Sequence, residues 1–513
     1  MNTQLTSDIF HFSLNTDGFS WNLKPVNQPG FELKSVRMQV DYLVKGILKQ
    51  TGLYWRSTQI QRQQCVASAL GDLEWVDIFP SPDAHGLQFR LSFAVSDPLE
   101  LFLWKITIHN RGNLPVQIMR ITLLDLGEPE ETLAGLVDPA FFSNGWGSWN
   151  HTGAFGRRER FRRTSLSFFS NPMRINPGTP QPKQTGVFAS DMFGVVGDRQ
   201  SRKGLLAGFL SQERHFGSLE VDFLSSSFNL WANGDAAQLD PGADMETDWA
   251  CIQFVDIDAA DPLSAYIKAV ARQAGIDSQR FQKPVSAGWC SWYHFYTQVQ
   301  QQDILSNLEA IQQLKDSLPL SFVQIDDGFE TRVGDWFDFT PGFPDGVSPL
   351  AQEIRTAGFT PGLWLAPFIV DRRSRLAQAH PDWLLRGRFN LPVNAGFLWN
   401  RFATALDLTI PEALAYACQV VKTAAHEWNF PFLKLDFLYA GALPGKRSNP
   451  YLTRAQILRT ALQALRTTAG EQTFLLGCGC PLGSGVGLVD AMRIGADVDG
   501  RWKPAILGKD IPS

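Results

Sequence analysis

The sequence predicts a large antiparallel β-sandwich followed by a (β/α) barrel. Three observations predict it. The chain has 513 residues, more than one ordinary core accommodates. Its first half alternates apolar and polar residues with period two. Its second half alternates short apolar runs with amphipathic stretches, the pattern of βα units around a parallel sheet.

Residues 1–260 read as the sandwich. In LQFRLSFAV (87–95), Leu87, Phe89, Leu91, Phe93 and Val95 share one face, and Gln88, Arg90 and Ser92 share the other. Phe102, Trp104, Ile106 and Ile108 repeat the pattern. This predicts strands with one wet face. Further strands are expected around 204–211 and 218–224, with Gly, Pro, Asn and Asp between them. Residues 261–283 read as a linker helix, since DPLSAYIKAVARQAG places Pro262 early and Gly275 at the end.

Residues 284–513 read as the barrel. The expected strands are 285–292, 320–326, 361–369, 432–437, 473–478 and 490–495. Helices are expected between them. Ile304, Leu305, Leu308, Ile311 and Leu314 mark one, residues 411–428 another, and Ile457, Leu458, Ala461, Leu462 and Leu465 a third. Repeated βα units fit either a TIM-type barrel or a doubly wound sheet, and no Gly-rich phosphate fingerprint favours the latter. An eight-strand barrel would need two further βα units, about 60 residues. Only 16 residues follow Asp497, so the expectation is an incomplete, C-terminally truncated barrel of about six strands.

Composition narrows the function. A net charge of −5 and the lack of a basic block argue against nucleic acid and anionic membrane. The six cysteines are irregularly spaced, no basic segment with a following apolar run opens the chain, and no apolar run is long enough to span a bilayer. A reducing, cytoplasmic setting is expected. The sixteen tryptophans suit a sugar site, where C–H faces pack on rings, although most must be core.

In such a barrel, functional groups sit at the C-terminal strand ends. Here those ends carry Asp326-Asp327, Trp364, Asp436, Cys478 and Asp497. Period two places Phe432, Lys434 and Asp436 on one side of their strand and Leu433, Leu435 and Phe437 on the other. Arg493, Gly495 and Asp497 share a face if extended backbone continues to the end of that strand. Two strands thus each bring a carboxylate with a cation beside it, which favours the ionised form in a half-buried site. There is no HExxH, no GxSxG and no His cluster. A hydrolase working with paired carboxylates, without cofactor or metal, is the expectation; the pairing suits glycoside hydrolysis.

The motifs also resemble glycoside hydrolase family 36, the α-galactosidases and their relatives. GWCSWYHFY (288–296), QIDDGFE (324–330) with GDW (334–336), GLWLAPF (362–368), WNRFATALDL (399–408), FLKLDFLYAGALPG (432–445) and LLGCGCPLGSGVGLVDAMRIGAD (475–497) carry the likeness. The resemblance implies a retaining mechanism with Asp436 as nucleophile and Asp497 as general acid and base, Asp499 being the rival. It implies galactose hydroxyls on Asp326 and Asp327, Trp364 stacked on the sugar, and Arg401, Lys434, Cys478 and Arg493 completing the polar shell. NGWGSWN (144–150) resembles the loop the sandwich lends to the sugar site, which makes Trp146 and Trp149 candidates. The implied partners are small α-galactosides such as melibiose and raffinose; an oligomer stays open. Alternatives within the resemblance are an α-N-acetylgalactosaminidase, a galactosyltransferase, or an inactive truncated relative that only binds sugar.

Overall fold

The computed structural model describes residues 4–15, 18–26, 32–54, 60–126, 133, 135–161, 172–276, 287–398, 401–495, 497, 505–506 and 509–510. Residues 277–283 of the expected linker, 285–286 of the first barrel strand, and Asp499 lie outside the described residues.

The first half folds into two antiparallel sheets of nine and ten strands among the described residues. In the first, Leu33–Val44, Val116–Leu126 and Ser227–Leu239 lie side by side. In the second, Lys203–Phe209, Ala250–Asp256, Leu101–Asn110 and Leu87–Ser96 do so. The apolar faces meet between the sheets. Trp21 of the first packs edge-on against Phe93 and Trp104 of the second, with centroids 6.1 and 5.6 Å away. Each ring so buried stabilises the sandwich by about 1.5–3 kcal/mol.

One expectation needs correction. The second face of Leu87–Ser96 is wet only at Gln88 and Arg90. Ser92 is buried and donates to Asp77 at 2.5 Å. Ala94, Leu101 and Leu103 belong to a small separate core with Tyr266 and Ala269. Those two come from the helix Ser264–Gln273, which covers that part of the sheet. A helix placed far along the chain cannot be read from the alternation inside a strand.

Among the described residues the second half holds a six-stranded, all-parallel sheet in the order Ala287–Cys290, Leu320–Ile325, Thr360–Leu365, Phe432–Leu435, Phe474–Gly477 and Ala491–Met492. These fall on the six expected strands in sequence order, but the last is only Ala491–Met492, so Arg493 and Asp497 lie beyond the extended backbone and the expected shared strand face does not reach them. Thr360–Leu365 is shorter than expected: Ile369–Asp371 leaves the sheet and pairs antiparallel with Arg401–Ala405, which also pairs with Gly396–Leu398. Outside the parallel sheet lie the helices Gln301–Gln313, Ser348–Thr356, Pro411–Lys422 and Arg454–Ala469. Leu433 and Leu435 face them and share one core with Val420, Val421, Leu458 and Leu462. The last helix starts in a capping box: Thr453 Oγ accepts from Gln456 N–H at 3.2 Å, and the Gln456 side chain accepts from Thr453 N–H at 2.9 Å. No helix among the described residues is long and apolar enough to cross a membrane.

The two halves are locked by buried charge. Arg454 donates through Nε to Asp235 of the sandwich at 2.7 Å, through Nη2 to Asn176 at 3.0 Å, and through Nη1 to the Ala442 carbonyl at 3.2 Å. Its side chain and that of Asp235 are both under one-tenth exposed. Arg459 adds an ion pair to Glu213 at 3.0 Å. Removing one partner strands the other in a dry interface. Arg454→Ala is therefore expected to cost about 3–5 kcal/mol of stability, read by chemical denaturation. A loss below about 1 kcal/mol would mean the pair behaves like an exposed one.

Candidate active site

The inner face of the parallel sheet is built in layers. At the bottom, Phe432 stacks between Phe322 and Phe474, with centroids 4.7 and 5.2 Å away. The strand between Phe322 and Phe432 carries Gly362 at this level, paired in register with Phe432. A Cβ there would come within 2.9 Å of the Phe432 ring, so glycine permits the stack. Two residues further along each strand, period two brings up Gln324, Trp364, Lys434 and Leu476; Trp364 and Leu476 both sit in register with Lys434. At the strand ends Asp326, Asp436 and Cys478 follow.

Lys434 and Asp326 form a buried pair, Nζ to Oδ2 at 2.8 Å, with side chains 7% and 2% exposed. The same oxygen accepts from Gln324 Nε2 at 2.5 Å and from the Cys290 thiol at 3.4 Å. The other oxygen accepts from Asp327 N–H at 3.1 Å, while Asp326 N–H donates to Ser291 Oγ at 2.9 Å. Burial alone would lower the Lys434 pKa, but the charges of Asp326 and Asp436 outweigh it and raise it above the usual lysine range. The lysine is a fixed cation beneath the cleft.

Asp436 is held from several sides. Trp364 Nε1 donates to Oδ2 at 3.1 Å and Phe437 N–H to Oδ1 at 2.7 Å. The Cys478 thiol shares a hydrogen bond with the same carboxylate, and burial followed by the Asp436 charge holds the thiol well above its usual pKa. Such fixed donors orient a carboxylate before any ligand arrives. Phe437 corrects an expectation. Period two sends it toward the outer helices, yet it lines the cleft. The strand ends at Leu435, and Phe437 turns left-handed at φ 52°, ψ 34°. Alternation stops where extended backbone stops.

The far wall comes from the last strand and from the sandwich. Arg493 pairs with Asp497, which is 47% exposed. Its guanidinium lies 5.1 Å over the Trp149 ring. Arg493 Nε and Nη2 are buried and have no hydrogen-bond partner among the described residues. Trp149 also stacks on Phe437 at 5.9 Å and 18°. The loop bearing it is pinned to the barrel by Ser148, whose Oγ donates to the Arg493 carbonyl at 2.5 Å and accepts from Gly479 N–H at 3.3 Å. Gly479 has φ 55°, and a Cβ there would meet the Trp149 ring at 2.6 Å. Only glycine lets this loop pass beneath the indole.

Together these groups enclose a cleft of about 470 Å³ lined by Asp326, Asp327, Trp364, Lys434, Asp436, Arg493 and Asp497, with Trp149, Met173, Trp292, Tyr296, Thr297, Phe397, Leu398 and Phe437. Two cavities of similar size, about 510 and 500 Å³, lie elsewhere and bring no two carboxylates together. Among the described residues no group of three or more His, Cys, Asp or Glu is placed to hold a metal ion.

Seven of the nine expected site residues thus meet in one cleft. Cys478 is fully buried and sits behind Asp436 rather than on the cleft surface. Arg401 is elsewhere: it pairs with Asp371 at 3.1 Å within the antiparallel excursion, so the polar shell forms without it. Trp364 is only 1% exposed and serves Asp436 through its N–H, which leaves little open ring face for stacking. Of the two loop tryptophans, Trp149 reaches the cleft, whereas Trp146 is core against Phe216. Sequence reasoning passed over Gln324, although period two places it beside Asp326. Trp292, Tyr296, Met173, Phe397 and Leu398, from short helical turns and the antiparallel excursion, carry no local signal in the sequence.

A parallel sheet with two carboxylates in one cleft above it, beside an antiparallel sandwich, has the groups that glycoside hydrolysis needs. The Melibiase family model matches residues 249–450. α-Galactosidase 2 of Pediococcus pentosaceus is 32% identical over 126 residues, 23% of this chain and 17% of that protein. α-Galactosidase AgaA of Geobacillus stearothermophilus is 21% identical over 441 residues, 82% of this chain and 55% of that protein. The chain spans about half the length of AgaA or less of such curated relatives. The structure of TtGalA, an α-galactosidase from Thermus thermophilus solved with p-nitrophenyl α-D-galactopyranoside, superposes with a TM-score of 0.59 at 27% identity, covering 87% of this chain and 76% of that one. The chain is thus similar to α-galactosidases over the Melibiase match and in fold.

Proposed function

We propose that the protein is a retaining α-galactosidase that releases terminal galactose from small α-galactosides such as melibiose and raffinose. One observation carries this reading: Asp436, just past Phe432–Leu435, and Asp497, beyond Ala491–Met492, line the same cleft, and the Lys434 cation beside Asp436 favours the ionised form a nucleophile needs. The likeness to TtGalA supports the choice of sugar.

In the first step an Asp436 oxygen attacks the anomeric carbon as the bond to the leaving oxygen breaks. Asp497 gives its proton to that oxygen. The product is a glycosyl ester on Asp436. In the second step Asp497, now a carboxylate, takes a proton from water, whose oxygen attacks the anomeric carbon and releases Asp436. This route wants the two carboxyls about 5–5.5 Å apart. Asp326 and Asp327 would accept from galactose hydroxyls. The unpaired N–H groups of Arg493 would donate to another, removing a penalty of about 1–3 kcal/mol for a buried unsatisfied donor.

Proton NMR of melibiose turnover tests the proposal. α-Galactose should appear first, with the β-anomer growing in later by mutarotation. Prompt β-galactose would mean inversion, and no turnover of melibiose, raffinose or the nitrophenyl galactoside would overturn the enzyme reading. Parallel assays with a 2-acetamido substrate and with an acceptor sugar separate the related activities.

A further inference from the structure

Behind Asp327 lies a second carboxyl group that the steps above do not use. Glu330 follows three residues later, and its backbone bridges to Phe339 in a short antiparallel excursion. Further bonds, Thr331 N–H to the Asp338 carbonyl at 2.8 Å and Thr340 N–H to the Phe329 carbonyl at 2.9 Å, tie this excursion together. Asp327 and Glu330 are 4% and 5% exposed. The neighbouring Phe329, Trp336 and Phe343 are core residues. The two carboxyl groups lie within hydrogen-bond reach of each other.

Two carboxyl groups cannot share a hydrogen bond without a proton between them. The surroundings say which holds it. Glu330 Oε2 is buried with no hydrogen-bond partner among the described residues, a cost that a neutral acid bears far better than an anion. Burial first, then the charge of Asp327, raises the Glu330 pKa well above the usual carboxyl range. Asp327, by contrast, lines the cleft beside Lys434 and Asp326.

We propose that Glu330 is a positioning residue: its carboxyl O–H donates to Asp327 and fixes that carboxylate so that its other oxygen meets a sugar hydroxyl. This rests on the sugar-binding reading above and deepens it. Glu330 touches neither substrate nor reacting atoms. Its contribution is to the affinity for the sugar rather than to the chemical step.

The test compares two variants of similar volume in the full chain. Glu330→Met fills the space without a donor, and Glu330→Gln supplies an amide N–H in place of the acid. With p-nitrophenyl α-galactoside, Glu330→Met should raise KM by about tenfold or more with kcat within about threefold, while Glu330→Gln keeps KM within about threefold of wild type. Calorimetry with free galactose should rank the affinities in the same order. Infrared difference spectra, wild type minus Glu330→Gln at neutral pH, should show a protonated-carboxyl C=O band, and this readout needs no activity. Absence of that band overturns the proposal, as do equal KM values for the two variants or a loss confined to kcat. If the methionine variant does not fold, the band together with an unchanged KM in the glutamine variant still decides it. If wild type binds galactose without hydrolysing it, the proposed enzyme fails while the affinity ranking still judges Glu330. If wild type binds no galactose, the claim about affinity falls with the sugar reading.

Discussion

Asp436→Asn is expected to lower turnover of every α-galactoside by on the order of 10⁴-fold or more while the protein stays folded. The size of the loss follows from the role. A nucleophile makes the bond that splits one hard step into two easier ones, and an amide cannot form the glycosyl ester. The fold should tolerate the change. Asparagine has nearly the same shape, its Oδ1 can keep the bond from Phe437 N–H, and Leu433 and Leu435 still anchor the strand in the core. The control is chemical rescue. Asp436→Gly leaves a space that azide can enter, and azide attack from that side should restore cleavage of the nitrophenyl galactoside and yield a galactosyl azide of inverted configuration. Wild-type rates in Asp436→Asn, or rescue giving only free galactose, would place the nucleophile elsewhere.

Asp497→Ala should show the second largest effect, and its signature is dependence on the leaving group. Melibiose departs as a sugar alkoxide and needs a proton, so its turnover should fall by roughly 10²–10⁴-fold. Nitrophenolate is stable without a proton, so the first step with the nitrophenyl galactoside should be nearly spared. The second step still needs Asp497 to activate water. The glycosyl ester should then accumulate, giving a burst of nitrophenolate followed by a slow steady rate. Equal losses on both substrates, without a burst, would reassign the acid. Asp497 is half exposed and Arg493 is its ion-pair partner, so its removal should leave the core intact.

The legible and illegible parts of the fold divide along physical lines. Lys434 and Asp436 were placed on one face because a strand alternates with period two, and that rule needs only local extended backbone. The same rule missed Phe437, where the backbone turns left-handed, and the buried side of Ser92 and Ala94, where a distant helix covers the sheet. Only the family resemblance puts Arg401 in the polar shell. Its strand pairs antiparallel outside the main sheet, and pairing partners at long sequence separation are not written in local pattern. The helix Ser348–Thr356 gives no clear periodic signal, being short and flanked by turns. Glu330 was visible as a letter in QIDDGFE, but its burial and its contact with Asp327 depend on the Phe339 bridge.

Trp149 belongs to the sandwich, yet it rests on Phe437 and Arg493 of the barrel and closes over Gly479. A slight loosening of the seam would tilt the indole, widen the pocket and free the arginine long before either half melted. Heat or denaturant should accordingly abolish sugar recognition earlier than it erases secondary structure. Transplanting the barrel without its neighbour would carry over the acids but not the lid that gives them a shape to grip.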